Sequence, residues 1–66
     1  METIVISLRD AVRGANFLID RFGGQFTQEY TNVFVFESGD IAFDACYELT
    51  MHGIEVENEE DFNFED

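Results

Sequence analysis

Asp40, Asp44 and Glu48 recur every four residues, a spacing that on a helix sets three carboxylates in one row roughly 6 Å apart. Such a row can supply an acid–base pair, hold a cation or present negative charge to a basic surface. Acid–base catalysis needs a pair singled out by its surroundings, and fifteen Asp and Glu in 66 residues make pairs by chance. The metal-ligand patterns are also missing. There is no His-x-x-x-His, the single Cys has no partner, and Asp61-x-Asn63-x-Glu65 lacks the Gly and the terminal bidentate Glu of a calcium loop. Weak, non-specific divalent binding is the most that this spacing offers. No Gly-rich phosphate loop or nucleophile elbow occurs. Cys46 falls on the apolar side of its helix, where a thiol is buried and inert. His52, followed by Gly53, suits the end of a helix. The chain is not expected to be an enzyme, and no catalytic residue, metal or cofactor is assigned.

The third use, charge, fits the composition. Three Arg and no Lys leave a formal net charge of −12, which repels nucleic acid and anionic membranes and attracts basic surfaces. Disorder is the bland outcome of high charge. Here 45% of residues are hydrophobic and the apolar positions are periodic, so an ordered domain is expected. Its size is near the lower limit for a fold held by a hydrophobic core alone, and eight Phe and two Tyr offset that. One Cys excludes an internal disulfide. The N-terminal METIVISLRDAV has no basic segment before an apolar run, and no stretch approaches the roughly 18 apolar residues of a membrane span. A soluble, cytoplasmic protein is expected.

The elements that position the acids are read from periodicity. Thr3 to Ser7 is β-branched and apolar, a central strand. Ser7, three residues before Asp10, resembles a capping box. Leu8, Ala11, Val12, Ala15, Leu18, Ile19 and Phe22 follow at helical spacing, and Gly23-Gly24 ends the helix. Gly14 inside it suggests close approach to the sheet. Gln25 to Tyr30 alternates as a strand, Thr31-Asn32 is a turn, and Val33 to Glu37 is a second arm with apolar residues on both faces. A single long bent strand is the alternative to this hairpin. Ser38 caps the helix that carries the acidic row, with Ile41, Ala42, Ala45, Cys46 and Leu49 on its other side. Ile54 to Glu57 alternates as a last strand.

The order strand, helix, strand, strand, helix, strand predicts an α+β fold: a compact ferredoxin-like βαββαβ sandwich, an antiparallel sheet with two helices on one face. A three-stranded variant results if Gln25 to Tyr30 is not a strand. Residues 1–57 form the single domain, and residues 58–66 are an acidic C-terminal tail or edge extension, with Phe62 and Phe64 able to fold back on the body.

Most of the acids follow Phe36, whereas Arg9, Arg13 and Arg21 lie in or next to the first helix. The candidate partner-binding residues are Glu37, Asp40, Asp44, Glu48, Glu55, Glu57, Glu59, Glu60 and Asp61. A groove built for phosphates would be drawn to such a surface, in a fast-forming, salt-sensitive contact. Helical spacing matches phosphate spacing only loosely, so mimicry needs several elements together.

With DIAFDACYELTMHGIEVENEED on a small βαββαβ frame, the chain resembles the small acidic proteins that phages and mobile elements use against host nucleic-acid machinery, anti-CRISPR proteins and other DNA mimics. The resemblance rests on size, charge and element order. It implies an inhibitor that occupies the basic nucleic-acid-binding surface of a CRISPR effector, preferably a Cascade-like complex, or of another defence nuclease, in the host bacterial cytoplasm. Two other readings stand beside it. In one, an uncovered sheet face carrying some of Phe26, Tyr30, Phe34 and Phe36 is a protein-contact or homodimer surface and the acids give solubility. In the other, a small regulatory or antitoxin-like module neutralises a basic protein. Direct RNA binding by the aromatics lacks the basic frame it needs.

Overall fold

The core is built on paired strands. In the computed structural model, which describes residues 1–62, β1 (Glu2–Val5) and β2 (Phe26–Tyr30) both lie antiparallel to β3 (Val33–Phe36), in the order β1-β3-β2. Expectations that fall on Asn63, Phe64, Glu65 and Asp66 lie outside the described residues. Register decides the ambiguity of VFVF. Ile4 pairs with Phe34 and Thr3 with Val35, so Phe34 joins Ile4 on one face and Val35 joins Thr3 on the other. Ile4, Phe34 and Phe36 are fully buried, while Val33 and Val35 are half-buried.

Two helices cover the Phe34 face. Helix α2 (Gly39–Met51) begins as expected, the Ser38 hydroxyl accepting the Ile41 N–H at 3.3 Å. It buries Ala42, Ala45, Cys46 and Leu49 and ends at His52, with Gly53 at φ +75°, where a side chain would be strained. Helix α1 (Ala11–Phe22) buries Ala11, Gly14 and Leu18. A Cβ on Gly14 would lie 2.5 Å from the Ile6 Cδ1, so the close approach to the sheet is real. The predicted apolar face of α1 is otherwise too broad. Leu8, Val12 and Ile19 point outward, because the core stripe runs through Ala11, Gly14 and Leu18.

Ser7 does not cap α1. A 3-10 turn, Leu8–Asp10, comes between them. The Ser7 carbonyl accepts the Asp10 N–H at 3.0 Å, and the buried Ser7 hydroxyl has no partner among the described residues.

The expected last strand, Ile54 to Glu57, is reduced to a single antiparallel bridge between Ile6 and Val56. The edge of β1 is nonetheless closed. Ser7 gives its N–H to the Glu55 carbonyl at 3.0 Å and Glu57 gives its N–H to the Val5 carbonyl at 2.7 Å. Asn58 then continues the ladder with its side chain: Oδ1 accepts the Val5 N–H at 3.0 Å and Nδ2 donates to the Thr3 carbonyl at 2.7 Å. An amide side chain thus takes the place of the next backbone unit, which frees the main chain to turn into a 3-10 segment, Glu59–Phe62, that seats Phe62 in the core. Asn58→Ala is expected to cost about 1–3 kcal/mol, the penalty of leaving these backbone groups without their partner, read as a lower denaturation midpoint.

Candidate functional site

The acidic surface is assembled by α2, its flanking loops and the turn that follows. Asp40 and Asp44 are exposed on α2, Glu37 is exposed just before it, and Glu57, Glu59, Glu60 and Asp61 are exposed after it. The Glu59–Phe62 turn packs on α2, with Glu59 near the buried Cys46 thiol. Asp61 accepts a hydrogen bond from Asn58 Nδ2 at 3.2 Å.

Two of the candidate residues are already engaged. Glu48, expected to be exposed with Asp40 and Asp44, is half-buried and bonds Arg21 at 2.7 Å. The reason is helix packing: α1 and α2 lie side by side, and the Arg21 guanidinium, 5.0 Å over the Phe17 ring, reaches across to Glu48. Glu55 meets Arg9 at 3.2 Å. Arg13 lies 3.6 Å from Asp10 and donates to the carbonyl of Gly53 at 2.9 Å. Each Arg is therefore spent within the molecule, on the α1 side. Glu37, Asp40, Asp44, Glu57, Glu59, Glu60 and Asp61 have no cation beside them among the described residues.

Sequence periodicity missed three outward side chains on the same helix. Phe43, Tyr47 and Met51, also spaced by four, are partly exposed and run beside the acids. The α2 surface is aromatic as well as acidic. The i, i+4, i+8 spacing was the signal available.

The residues set aside as non-catalytic have structural surroundings. Cys46 is fully buried, and burial, with the nearby charge of Glu59, pushes its thiol up to about 12, far from thiolate chemistry at neutral pH. The His52 Nδ1 lies 2.9 Å from the Glu48 carbonyl and its ring is tilted against Phe17 at 4.7 Å, tying the end of α2 to α1. No cluster of three or more His, Cys, Asp or Glu among the described residues could hold a metal ion. An open hollow of about 290 Å³ between the start of β2 and the N-terminus of α2 is lined by Gly24, Gln25, Phe26, Thr27, Glu37 and Ser38, with one titratable group and no base–nucleophile pair.

The uncovered sheet face is not the aromatic surface it was expected to be. Phe34 and Phe36 are in the core, and Phe26 packs on them with ring centroids 5.7 and 5.3 Å away. Of the four aromatics named for that face, Tyr30 alone is exposed. Register places it beside Val33, on a face that otherwise carries Thr3, Val5, Thr27 and Val35.

Asp10 was not singled out by the sequence beyond its capping position. It is buried, with its carboxylate accepting from Arg9 and from the Glu55 N–H at 2.9 Å. The bond from Arg9 and the bond from the Glu55 backbone hold its pKa down, at about 2. A carboxyl with a lowered folded-state pKa stabilises the fold above its unfolded value, about 3.9, and that contribution disappears as pH falls through about 2. Other pH-dependent contributions are common to both proteins, so the Asp10 component is isolated by difference. The stability gap between wild type and Asp10→Asn is expected to narrow from pH 5 to pH 2, measured by urea denaturation. A gap independent of pH would remove Asp10 from the role of ionised lock.

Comparisons with protein-family models, with curated proteins and with solved structures found no match. No helix among the described residues is long and apolar enough to cross a membrane.

Proposed function

We propose that this protein is a small acidic inhibitor that occupies the basic nucleic-acid-binding surface of another protein, in the manner of phage-type anti-CRISPR proteins, with a CRISPR effector complex as the preferred target. The observation that carries this is the segregation of charge: each Arg is neutralised on the α1 side, and Asp40 and Asp44 of α2 and the acids of the Glu59–Phe62 turn are left exposed with no cation beside them among the described residues. A solvated face that served only solubility would not need Phe43, Tyr47 and Met51 among its acids. In a contact, the carboxylates meet the Lys and Arg that bind phosphate and the aromatic and Met side chains exclude water between them. No reaction is involved, since the inhibitor acts by occupancy. The finer fold we propose is the ferredoxin-like sandwich with its fourth strand worn down to the Ile6–Val56 bridge, which lies on the free side of β1 where that strand belongs.

The test is a pull-down with the tagged protein from bacterial lysate containing CRISPR effector complexes, at low and high salt, followed by a DNA-binding assay on the captured complex. Salt-sensitive capture of an effector subunit that loses DNA binding supports inhibition. Capture of a salt-resistant partner with no nucleic-acid-binding surface overturns it.

A further inference from the structure

The outward side of α1 carries an apolar seam that neither the fold nor the acidic surface uses. Val12 and Ile19 are 72% and 57% exposed, and Leu8, in the 3-10 turn leading into the helix, is 72% exposed. Half-buried Ala15 lies between them. Residues 8, 12, 15 and 19 are spaced four, three and four apart, the spacing of an apolar seam on which a second helix packs. The small Ala15 lets a second helix come close.

We infer that this seam is a dimer interface, on which α1 of a second copy packs antiparallel across a two-fold axis. The two-fold passes between Val12 and Ala15, so that Leu8 of one copy meets Ile19 of the other and Val12 meets Ala15. Charge selects the occupant. Two chains of net charge −12 repel one another over most of their surfaces, whereas on the α1 side Arg9, Arg13 and Arg21 offset Asp10, Glu48 and Glu55 and leave Asp20 as the acid of α1 without a cation among the described residues. This is the side on which two copies can approach. Arg9, Asn16 and Asp20 flank one side of the seam, and antiparallel pairing brings the exposed Arg9 of each copy, which bonds Asp10 and Glu55 of its own chain, to the helical turns of Asn16 and Asp20 in the other, where Asp20 adds a further acid. Because a two-fold contact uses the same patch on both molecules, assembly closes at the dimer.

The inference does not depend on the inhibitor reading, and salt separates the two. Screening weakens a contact between acids and a basic partner but strengthens association of two like-charged chains. Sedimentation equilibrium of the untagged protein is expected to give twice the 7.6 kDa chain mass, with the dissociation constant falling at least several-fold from low to high salt. Val12→Glu and Ile19→Glu, both at exposed positions, should each yield monomer with an unchanged circular dichroism spectrum. Thr31→Lys, exposed in the β2–β3 turn away from the seam, should leave the dimer. The open edge of β2 is the competing surface, and Gln28→Pro blocks strand pairing there. A protein that stays monomeric at high salt overturns the inference, as does a dimer that survives Val12→Glu and Ile19→Glu or one abolished by Gln28→Pro.

Discussion

Reversal of Asp40 and Asp44 to Lys is expected to weaken inhibition of a basic nucleic-acid-binding partner by one to three orders of magnitude while the protein remains folded. Neither carboxylate contacts a cation among the described residues, so reversal breaks no internal ion pair. Asp40 sits in the first turn of α2, where an acid is worth about 0.3–1 kcal/mol against the helix dipole. That loss is offset by relief of self-repulsion in a chain of net charge −12. In a complex each reversed position sets Lys against a phosphate-binding Lys or Arg. Close charge pairs at interfaces couple by about 1.5–7 kcal/mol, and each 1.4 kcal/mol or so is tenfold in affinity. The readout is the concentration of inhibitor that restores half of the free DNA in a competition assay, together with its salt slope, which should become shallower. Glu48 is left out deliberately. Its carboxylate holds Arg21 at 2.7 Å, so Glu48→Lys would set two cations together and lower stability, confounding any loss of inhibition. An unchanged competition curve for the Asp40 and Asp44 double reversal would rule out the α2 row as the contact.

The largest effect on stability is expected from adjacent residues of one strand. Phe34→Glu should abolish folding, whereas Val35→Glu should leave a cooperative thermal transition. Phe34 is fully buried between the sheet and the helices and packs edge-on against Phe26. Truncating such a ring costs about 3–5 kcal/mol, and a buried carboxylate without a partner adds several more. A domain of this size has a total stability of roughly 3–10 kcal/mol at typical per-residue values. Val35 faces the other way, beside Thr3 and Thr27, and a carboxylate there reaches water. Circular dichroism melts of the two variants decide between the faces, and a folded Phe34→Glu with an unfolded Val35→Glu would mean that the register is wrong by one residue. Phe34→Glu therefore tests the fold, not association through the sheet face.

Position in the chain was enough to locate the helices, the hairpin and the acidic row, because local signals specify them. Ser38 caps α2, Gly53 takes the positive φ at its end, and Gly14 marks the approach of α1 to the sheet. What periodicity does not contain is which of two apolar faces is covered. VFVF is apolar on both sides, and only its pairing with β1 put Phe34 and Phe36 inside. The α1 pattern is apolar over too wide an arc, and only the position of the sheet separated Ala11, Gly14 and Leu18 from the outward Leu8, Val12 and Ile19.

Charge followed the same division. The sequence determined how many carboxylates there are and that most follow Phe36. Tertiary structure decided which of them are spent: packing of α1 beside α2 gave Glu48 to Arg21, and the return of the chain along β1 gave Glu55 to Arg9 and its backbone N–H to Asp10. The fourth strand was lost for a related reason. Asn58, which in sequence begins an acidic tail, supplies with its side chain the hydrogen bonds that a longer strand would have made with its backbone. Pairings between residues 27 to 55 positions apart depend on where the whole fold places them, and no local pattern of residue types records that.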